Sequence, residues 1–494
     1  MPGPLYLGVD LGTSQLKVGV LDAEGVLHAE GRAAYGLTSP RPGWAEQDAE
    51  TWWLAFVDAL AQAGRQVDLQ RVEALCVVAQ SPTIVPVGPD GHPAGPAITW
   101  ADRRATAEAT WLGEQLGTNV RVEFEALPRI LWLKSHEPDL YARTTWFMLA
   151  YDYLPFRLTG RPVSIFPHER LRQWTPERLD AAGLDRNWFA AESMPPATVV
   201  GTITPACAAQ LGLRTDCLVV SGTVDAFAHW VGTDMTQPGR LCNIGGTSEG
   251  VSLFWSELLS DPRYRVFGIP SPFGSGWMIG GSMSNGGSVL DWATRTFHGG
   301  SDRDVVLAAV ARIGPGADGI IALPYLLGER TPIYDSDARG VMVGLSPHHG
   351  PAHLTRALLE GVAFGLRSVI EVLESLGASV EEVVATGGTA RSSTWNQIKA
   401  SVTGKRVKVP IVRDSGVTGA AILACSAASG QPLTTASAAM VRFETIVTPD
   451  ERESATYDAM YPHFLDLYQQ LKGPLWKLAD LRREREDSTS DRKV

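Results

Sequence analysis

An apolar run, Leu5-Tyr6-Leu7-Gly8-Val9, ends abruptly on Asp10. A small-residue turn, Leu11-Gly12-Thr13-Ser14-Gln15, follows, and a second run continues through Lys17, Val18, Val20 and Leu21. Two such runs about a Gly-containing turn predict a β-hairpin. The pattern recurs near mid-chain. Leu241–Ile244 leads into Gly245-Gly246-Thr247-Ser248 and then into Val251–Phe254. Two copies of one device in one chain predict a duplicated architecture.

Between and after the hairpins, apolar spacing predicts alternating strands and helices. Strands are expected at Val26–Ala34, Val72–Val78, Pro96–Trp100, Val199–Thr204, Leu218–Val220, Val383–Thr386 and Val407–Val409. Helices are expected at about Ala49–Gly64, Thr106–Leu116, Pro128–Glu137, Tyr151–Leu158 and Ala352–Leu376, making residues 105–190 a helical region. The small-residue stretch from Gly419 to Ala424 is expected to pack tightly behind the Val407–Val409 strand. Beyond residue 475 the composition turns charged, and the segment 476–494 reads as a disordered tail.

Composition narrows the class. At 494 residues the chain exceeds a single core, so two or three domains are expected, and the duplicated pattern divides it into 1–240 and 241–475. A net charge of -11 argues against nucleic acid or an anionic membrane as partner. Five scattered cysteines without a CxxC motif read as buried thiols of a reducing compartment. No apolar run approaches the ~20 residues of a membrane span, and no leader pattern opens the chain, so a cytoplasmic protein is expected.

The polar residues at strand ends suggest the chemistry. A carboxylate at Asp10 suits Mg²⁺, which binds through one or two carboxylates plus substrate phosphate. Gly12, Thr13 and Ser14 offer a turn rich in N–H and O–H donors, and Lys17 adds positive charge, as an anion site needs. A Walker loop is absent, and no GxGxxG follows either hairpin strand, which argues against a dinucleotide fold. Gln80 and Ser81 end a buried strand, where ligands bind in α/β sheets. Trp100, Asp102 and Arg103 combine an aromatic face with a carboxylate and a guanidinium, a set suited to sugars or equally to a helix cap with solvated charges. Trp44 reads as a lid or as a loop anchor. Asp225 ends an apolar strand and opens a helix, fitting a general base or an N-cap. Glu329-Arg330 reads as a buried ion pair. The loop Gly280–Ser288 could offer backbone N–H groups to a nucleotide or just allow tight packing, and strand, Gly387-Gly388, helix fits an adenine or ribose seat.

In this order the segments GVDLGTSQLKV, RPGWAEQDAETWW, WADRR, GTVDAFAHWVG, IGGTSEG, LPYLLGERTP, TGGTARSSTWNQIKASVTG and GAAILA resemble the FGGY carbohydrate kinases, closest to the xylulokinase branch. The resemblance spans Leu5 to about Leu471. It implies an α/β fold of two ribonuclease-H-like domains, from the actin and sugar-kinase ATPase superfamily, with a cleft between them for ATP and a sugar. It implies ATP and Mg²⁺, with Asp225 as catalytic base and also near the metal, which Asp10 would hold. Gly12, Thr13, Ser14, Lys17, Gly246 and Thr247 would meet the phosphates, and Gly287, Gly388 and Ser392 the adenosine. Gln80, Ser81, Trp100, Asp102, Arg103 and Asp225 would meet the sugar. Oligomeric state stays open, homodimers being common in such kinases. Departures fall on the sugar side: Ser81-Pro82 stands where xylulokinases carry Met-His, and Ser164–Arg170 lacks their Asp. The acceptor is thus expected to be a ketopentose such as xylulose, or else a ribulose-, fuculose-, erythritol-, glycerol- or gluconate-type substrate. A non-catalytic ATP- and sugar-binding protein is the rival from another class.

Overall fold

In a computed structural model, which describes residues 3–490, the chain forms two compact units. The first comprises the chain up to Asp234 together with Asp414–Arg442; the second comprises Met235–Arg413 and the chain from Phe443 onward. The expected division at 240 therefore needs a correction. Residues 414–442 return to the first unit because their helix belongs to its sheet.

The first unit is built on a six-stranded sheet. Its order is Val199–Thr202, Leu218–Val220, Val72–Ala79, Leu5–Leu11, Gln15–Asp22, Leu27–Ala34. Leu5–Leu11 and Gln15–Asp22 are antiparallel with Asp10 opposite Lys17, so the register sets the carboxylate beside the ammonium. On its other side Leu5–Leu11 pairs in parallel with Val72–Ala79. Every side chain of Leu5–Leu11 is buried, as a strand covered on both faces requires. The helix Ala49–Gly64 forms where the 3.6-residue pattern predicts it, capped by Asp48, whose carboxylate accepts from Glu50 N. It buries Trp52, Phe56 and Leu60.

A second cover comes from the far end of the sequence. The helix Ser415–Ser429 packs on the Leu5–Leu11 strand rather than behind the Val407–Val409 segment. The glycines and alanines that mark it allow main-chain contact. A Cβ on Gly8 would stand 2.0 Å from the Val417 carbonyl oxygen, and one on Gly419 2.0 Å from that of Ala228. Residues 105–190 are mainly helical, but Trp146–Leu149 joins Ile84–Val87 in a small four-stranded sheet.

The second unit repeats the scheme. Its seven strands run Phe267–Pro270, Trp277–Met283, Glu249–Trp255, Arg240–Gly245, Glu382–Gly387, Arg406–Pro410, Phe443–Val447. An antiparallel hairpin is again followed by two parallel neighbours and an antiparallel edge. The 25-residue helix Pro351–Ser375 is almost wholly buried from Thr355 to Leu366. The helix Glu451–Ser490 runs through most of the segment expected to be a disordered tail. Leu475 and Ala479 are buried, and Trp476 Nε1 donates to Asp335 Oδ2 at 2.9 Å. Residues 491–494 lie outside the described residues.

Candidate active site

In the first unit the hairpin, the Asp225 helix and the start of the Ser415–Ser429 helix bring titratable groups together. Lys17 Nζ lies 2.9 Å from Asp414 Oδ2 and 3.5 Å from Asp10 Oδ2. Asp414 caps the Ser415–Ser429 helix. Burial pushes the Asp10 carboxyl above the usual carboxylate range, opposed by Lys17. Both carboxylates hold the Lys17 ammonium above its ordinary value, against its own desolvation.

Asp225 is the first residue of the helix Asp225–Val231, positioned by a main chain that continues the sheet: Ala79 N donates to Thr223 O at 3.1 Å, and Val224 bridges Ala79. The helix cap is Val224, so Asp225 is not an N-cap. Its Oδ1 accepts from Ala226 N at 2.7 Å, and among the described residues no lysine or arginine pairs with it. Desolvation pushes its pKa up to about 6; Asp10 adds to this and the His229 imidazole opposes it. His229 Nδ1 bonds Ser415 Oγ at 2.8 Å. A Cβ on Gly416 would meet both Asp10 Oδ2, at 2.7 Å, and His229 Cε1, at 3.3 Å. His229 and Asp414 were missed by the sequence reading. The signal for His229 was its i+4 spacing from Asp225; Asp414 carried none, being distant in sequence and resembling any helix cap.

The sugar-side candidates divide. Gln80 is buried and its Nε2 donates to Gln47 Oε1 at 2.7 Å, while its own Oε1 has no partner. Ser81 bonds the buried Tyr151 hydroxyl. Trp100 is exposed, and its Nε1 donates to Thr13 Oγ1 at 3.0 Å. Asp102 is fully buried and spent: it accepts from Ala45 N at 2.7 Å and from the Arg104 guanidinium at 2.8–3.0 Å. No oxygen of it is left for a sugar, because the carboxylate closes the loop that carries it. Arg103 donates to Trp100 O at 3.0 Å and keeps an exposed face. Trp44 is a loop anchor, edge-on to Trp132 at 5.2 Å with the Arg104 guanidinium 3.6 Å over its ring.

In the second unit the turn Gly246–Ser248 is held by neighbours. Gly287 N donates to Gly246 O at 2.7 Å and Ser288 N to Thr247 O at 3.2 Å. Gly246, Thr247 and Gly388 are exposed, and Ser392 caps the helix Ser393–Thr403 by accepting from Trp395 N. Gly387 and Gly245 lie in register on adjacent parallel strands, so Gly388 follows directly beside the turn. Behind it sits a fully buried ion pair: Lys399 Nζ is 2.7 Å from Glu249 Oε1 and 2.6 Å from Asn243 Oδ1, and Asn243 Nδ2 donates to Glu249 Oε2 at 2.8 Å. The expected Glu329–Arg330 pair does not form. Glu329 instead accepts from Arg330 N at 2.8 Å, from Asn285 Nδ2 at 3.1 Å and from Ser284 N, and so fixes the 284–285 loop. The Arg330 guanidinium reaches Ser284 Oγ.

Residues 5–232 match the N-terminal domain of the FGGY family of carbohydrate kinases, and residues 241–428 match its C-terminal domain. The chain belongs to that family. It is a sugar kinase, and the phosphoryl donor of such kinases is ATP. The xylulose kinase of Escherichia coli K12 is 32% identical over 483 residues, 94% of this chain and 99% of that one. The gluconokinase of Bacillus subtilis 168 is 26% identical over 97% of this chain and 98% of its own. The crystal structure of xylulose kinase from Rhodospirillum rubrum superposes with a TM-score of 0.80 at 26% identity, covering 95% of this FGGY kinase and 99% of that chain. Two units with matching hairpin-led sheets thus carry the sugar-kinase fold expected from the sequence. Among the described residues of this kinase, no helix is long and apolar enough to cross a membrane.

Proposed function

We propose that the chain transfers the γ-phosphate of ATP to a hydroxyl of a ketopentose of the xylulose type, with Asp225 as general base. The observation that carries this is Asp225 itself, desolvated, in no lysine or arginine salt bridge among the described residues, and poised near pH 6 beside the Asp10–Lys17–Asp414 group. A base is most effective when its pKa lies near the working pH, and phosphoryl transfer leaves the protein mainly positioning and electrostatic work. Asp225 takes the proton of the attacking hydroxyl. Lys17, with the donors of Gly12, Thr13 and Ser14, meets a nucleotide phosphate; in the second unit Gly246 and Thr247 are assigned to phosphate and Gly287, Gly388 and Ser392 to nucleoside by the family likeness.

The residues present suit Mg²⁺. Asp10 and Asp225 are oxygen donors not held by arginine, of the kind that bind the ion jointly with substrate phosphate. Among the described residues no cluster of three or more His, Cys, Asp or Glu would cage a metal without that phosphate. When bound, the ion neutralises charge on the phosphate oxygens.

The ketopentose follows from the xylulose kinases among the relatives; the gluconokinase supports an aldonate as second reading. The test is ADP release with Mg²⁺-ATP and a panel of pentuloses, hexuloses, polyols and aldonates, on wild type and Asp225→Asn. One sugar should stimulate release strongly, and the variant should lose that stimulation by orders of magnitude. Normal turnover by Asp225→Asn would sink the assignment.

A further inference from the structure

Trp100 does more than present a ring. Its Nε1–H reaches Thr13 Oγ1 at 3.0 Å and ties the loop after the Ala97–Ile98 strand to the turn of the first hairpin. The main chain of Trp100 is clamped at both ends. Its N–H donates to Thr83 Oγ1 at 3.2 Å, and its carbonyl accepts from Arg103 Nη1 at 3.0 Å and Arg129 Nη2 at 3.1 Å. Arg129 is fully buried, and its hydrogen bonds go to carbonyl oxygens, including Glu125 O at 2.8 Å. Burying a guanidinium without a contacting carboxylate is costly. What it achieves here is a fixed Trp100.

Thr13 is held from its other side as well. Its carbonyl accepts from Gln47 Nε2 at 2.6 Å, and Gln47 Oε1 accepts in turn from the buried Gln80. Two residues expected to face the sugar, Trp100 and Gln80, therefore both act on the phosphate turn. The chemistry of the contact is one-directional. An indole N–H can only donate, whereas a hydroxyl has one hydrogen and two lone pairs. With Trp100 occupying a lone pair, the Thr13 hydrogen is left for another acceptor.

We propose that Trp100 is a positioning residue that presents the Thr13 hydroxyl as a donor to the nucleotide phosphate, so that the sugar-side loop helps set the phosphate-side turn. This rests on the assignment of the Thr13 turn to ATP. The alternative is that Trp100 serves solely as a stacking face for the sugar, its bond to Thr13 being incidental.

Trp100→Phe separates the two, because it keeps a ring and removes only the N–H. The decisive measurement is calorimetric affinity for Mg²⁺-ATP with no sugar present, on wild type, Trp100→Phe, Thr13→Ala and the double variant. Trp100→Phe should weaken ATP binding roughly three- to tenfold, the effect of impairing one hydrogen bond to a charged group. In the Thr13→Ala background the same change should alter affinity less than about twofold, the non-additivity expected of directly coupled residues. Unchanged affinity in Trp100→Phe, or an equal loss in both backgrounds, overturns the inference while leaving the kinase site intact. Wild type that binds no ATP, or a Thr13→Ala variant that binds it as tightly as wild type, overturns the underlying assignment instead.

Discussion

As the proposed general base, Asp225 meets two opposed demands. Its carboxylate must be ionised to take a proton, yet desolvation lifts its pKa to about 6. Below that pH the base is increasingly protonated, so kcat/KM should fall about tenfold per pH unit on the acid side of 6. The same shift fixes the sign of its effect on stability. A carboxylate whose folded pKa exceeds its unfolded value of 3.8 favours the fold below that value and burdens it as pH rises through 6. Asp225→Asn should therefore be more stable than wild type at pH 7–8, by roughly 1–3 kcal/mol. That gain should shrink from pH 6 downward and vanish below pH 4. Urea midpoints across this range test it; a variant less stable at pH 8 would contradict the desolvation account. Asp225 was legible from sequence because strand, Gly turn and helix start coincide there. The fate of Asp102 was not. Arg104, two residues on, could have been suspected, but the donor that completes the set, Ala45 N, comes from a loop 57 residues away that local pattern does not place.

Among elements, the second hairpin carries the sharpest expectation. Glu249 follows its turn directly, and the Lys399 ammonium that meets it is fully buried. Removing one member of such a pair strands a charge in a low-dielectric core, at a cost of about 3–5 kcal/mol. Lys399→Met should fall in that range, whereas Glu249→Gln with Lys399→Met should recover most of the loss. Denaturant midpoints of the three proteins decide it. A single variant as stable as the double one would show that the pair bears no such load. Both hairpins were readable from local pattern, as was the helix Ala49–Gly64 to the residue. The Lys399 contact was not, since it joins positions 150 residues apart and a lysine on a helix ordinarily reads as solvated.

Over the whole molecule, the boundary between units was the element least available to local pattern. Small residues from Gly419 to Ala424 signalled tight packing but pointed to the wrong partner surface, the Val407–Val409 strand. The partner is instead the Leu5–Leu11 strand, and the apolar face of this helix belongs to the first unit. A fragment ending at residue 240 should accordingly lack fixed side-chain packing, with weak near-UV circular dichroism and bound hydrophobic dye. Joining residues 414–442 to it through a short flexible linker should restore a cooperative melt. A fragment of 1–240 that melts cooperatively without the added segment would refute this.

The late return of that helix also has a consequence for the newborn chain. Residue 414 leaves the ribosome about 180 residues after residue 234. At roughly 5–20 residues per second the interval is on the order of ten to forty seconds. Throughout it the central strand of the first unit has been made but its cover has not, leaving an apolar sheet face open to other chains. The first unit is therefore sealed only long after most of it has been made, and its yield in a crowded translating cell should depend on holdase chaperones that bridge this gap.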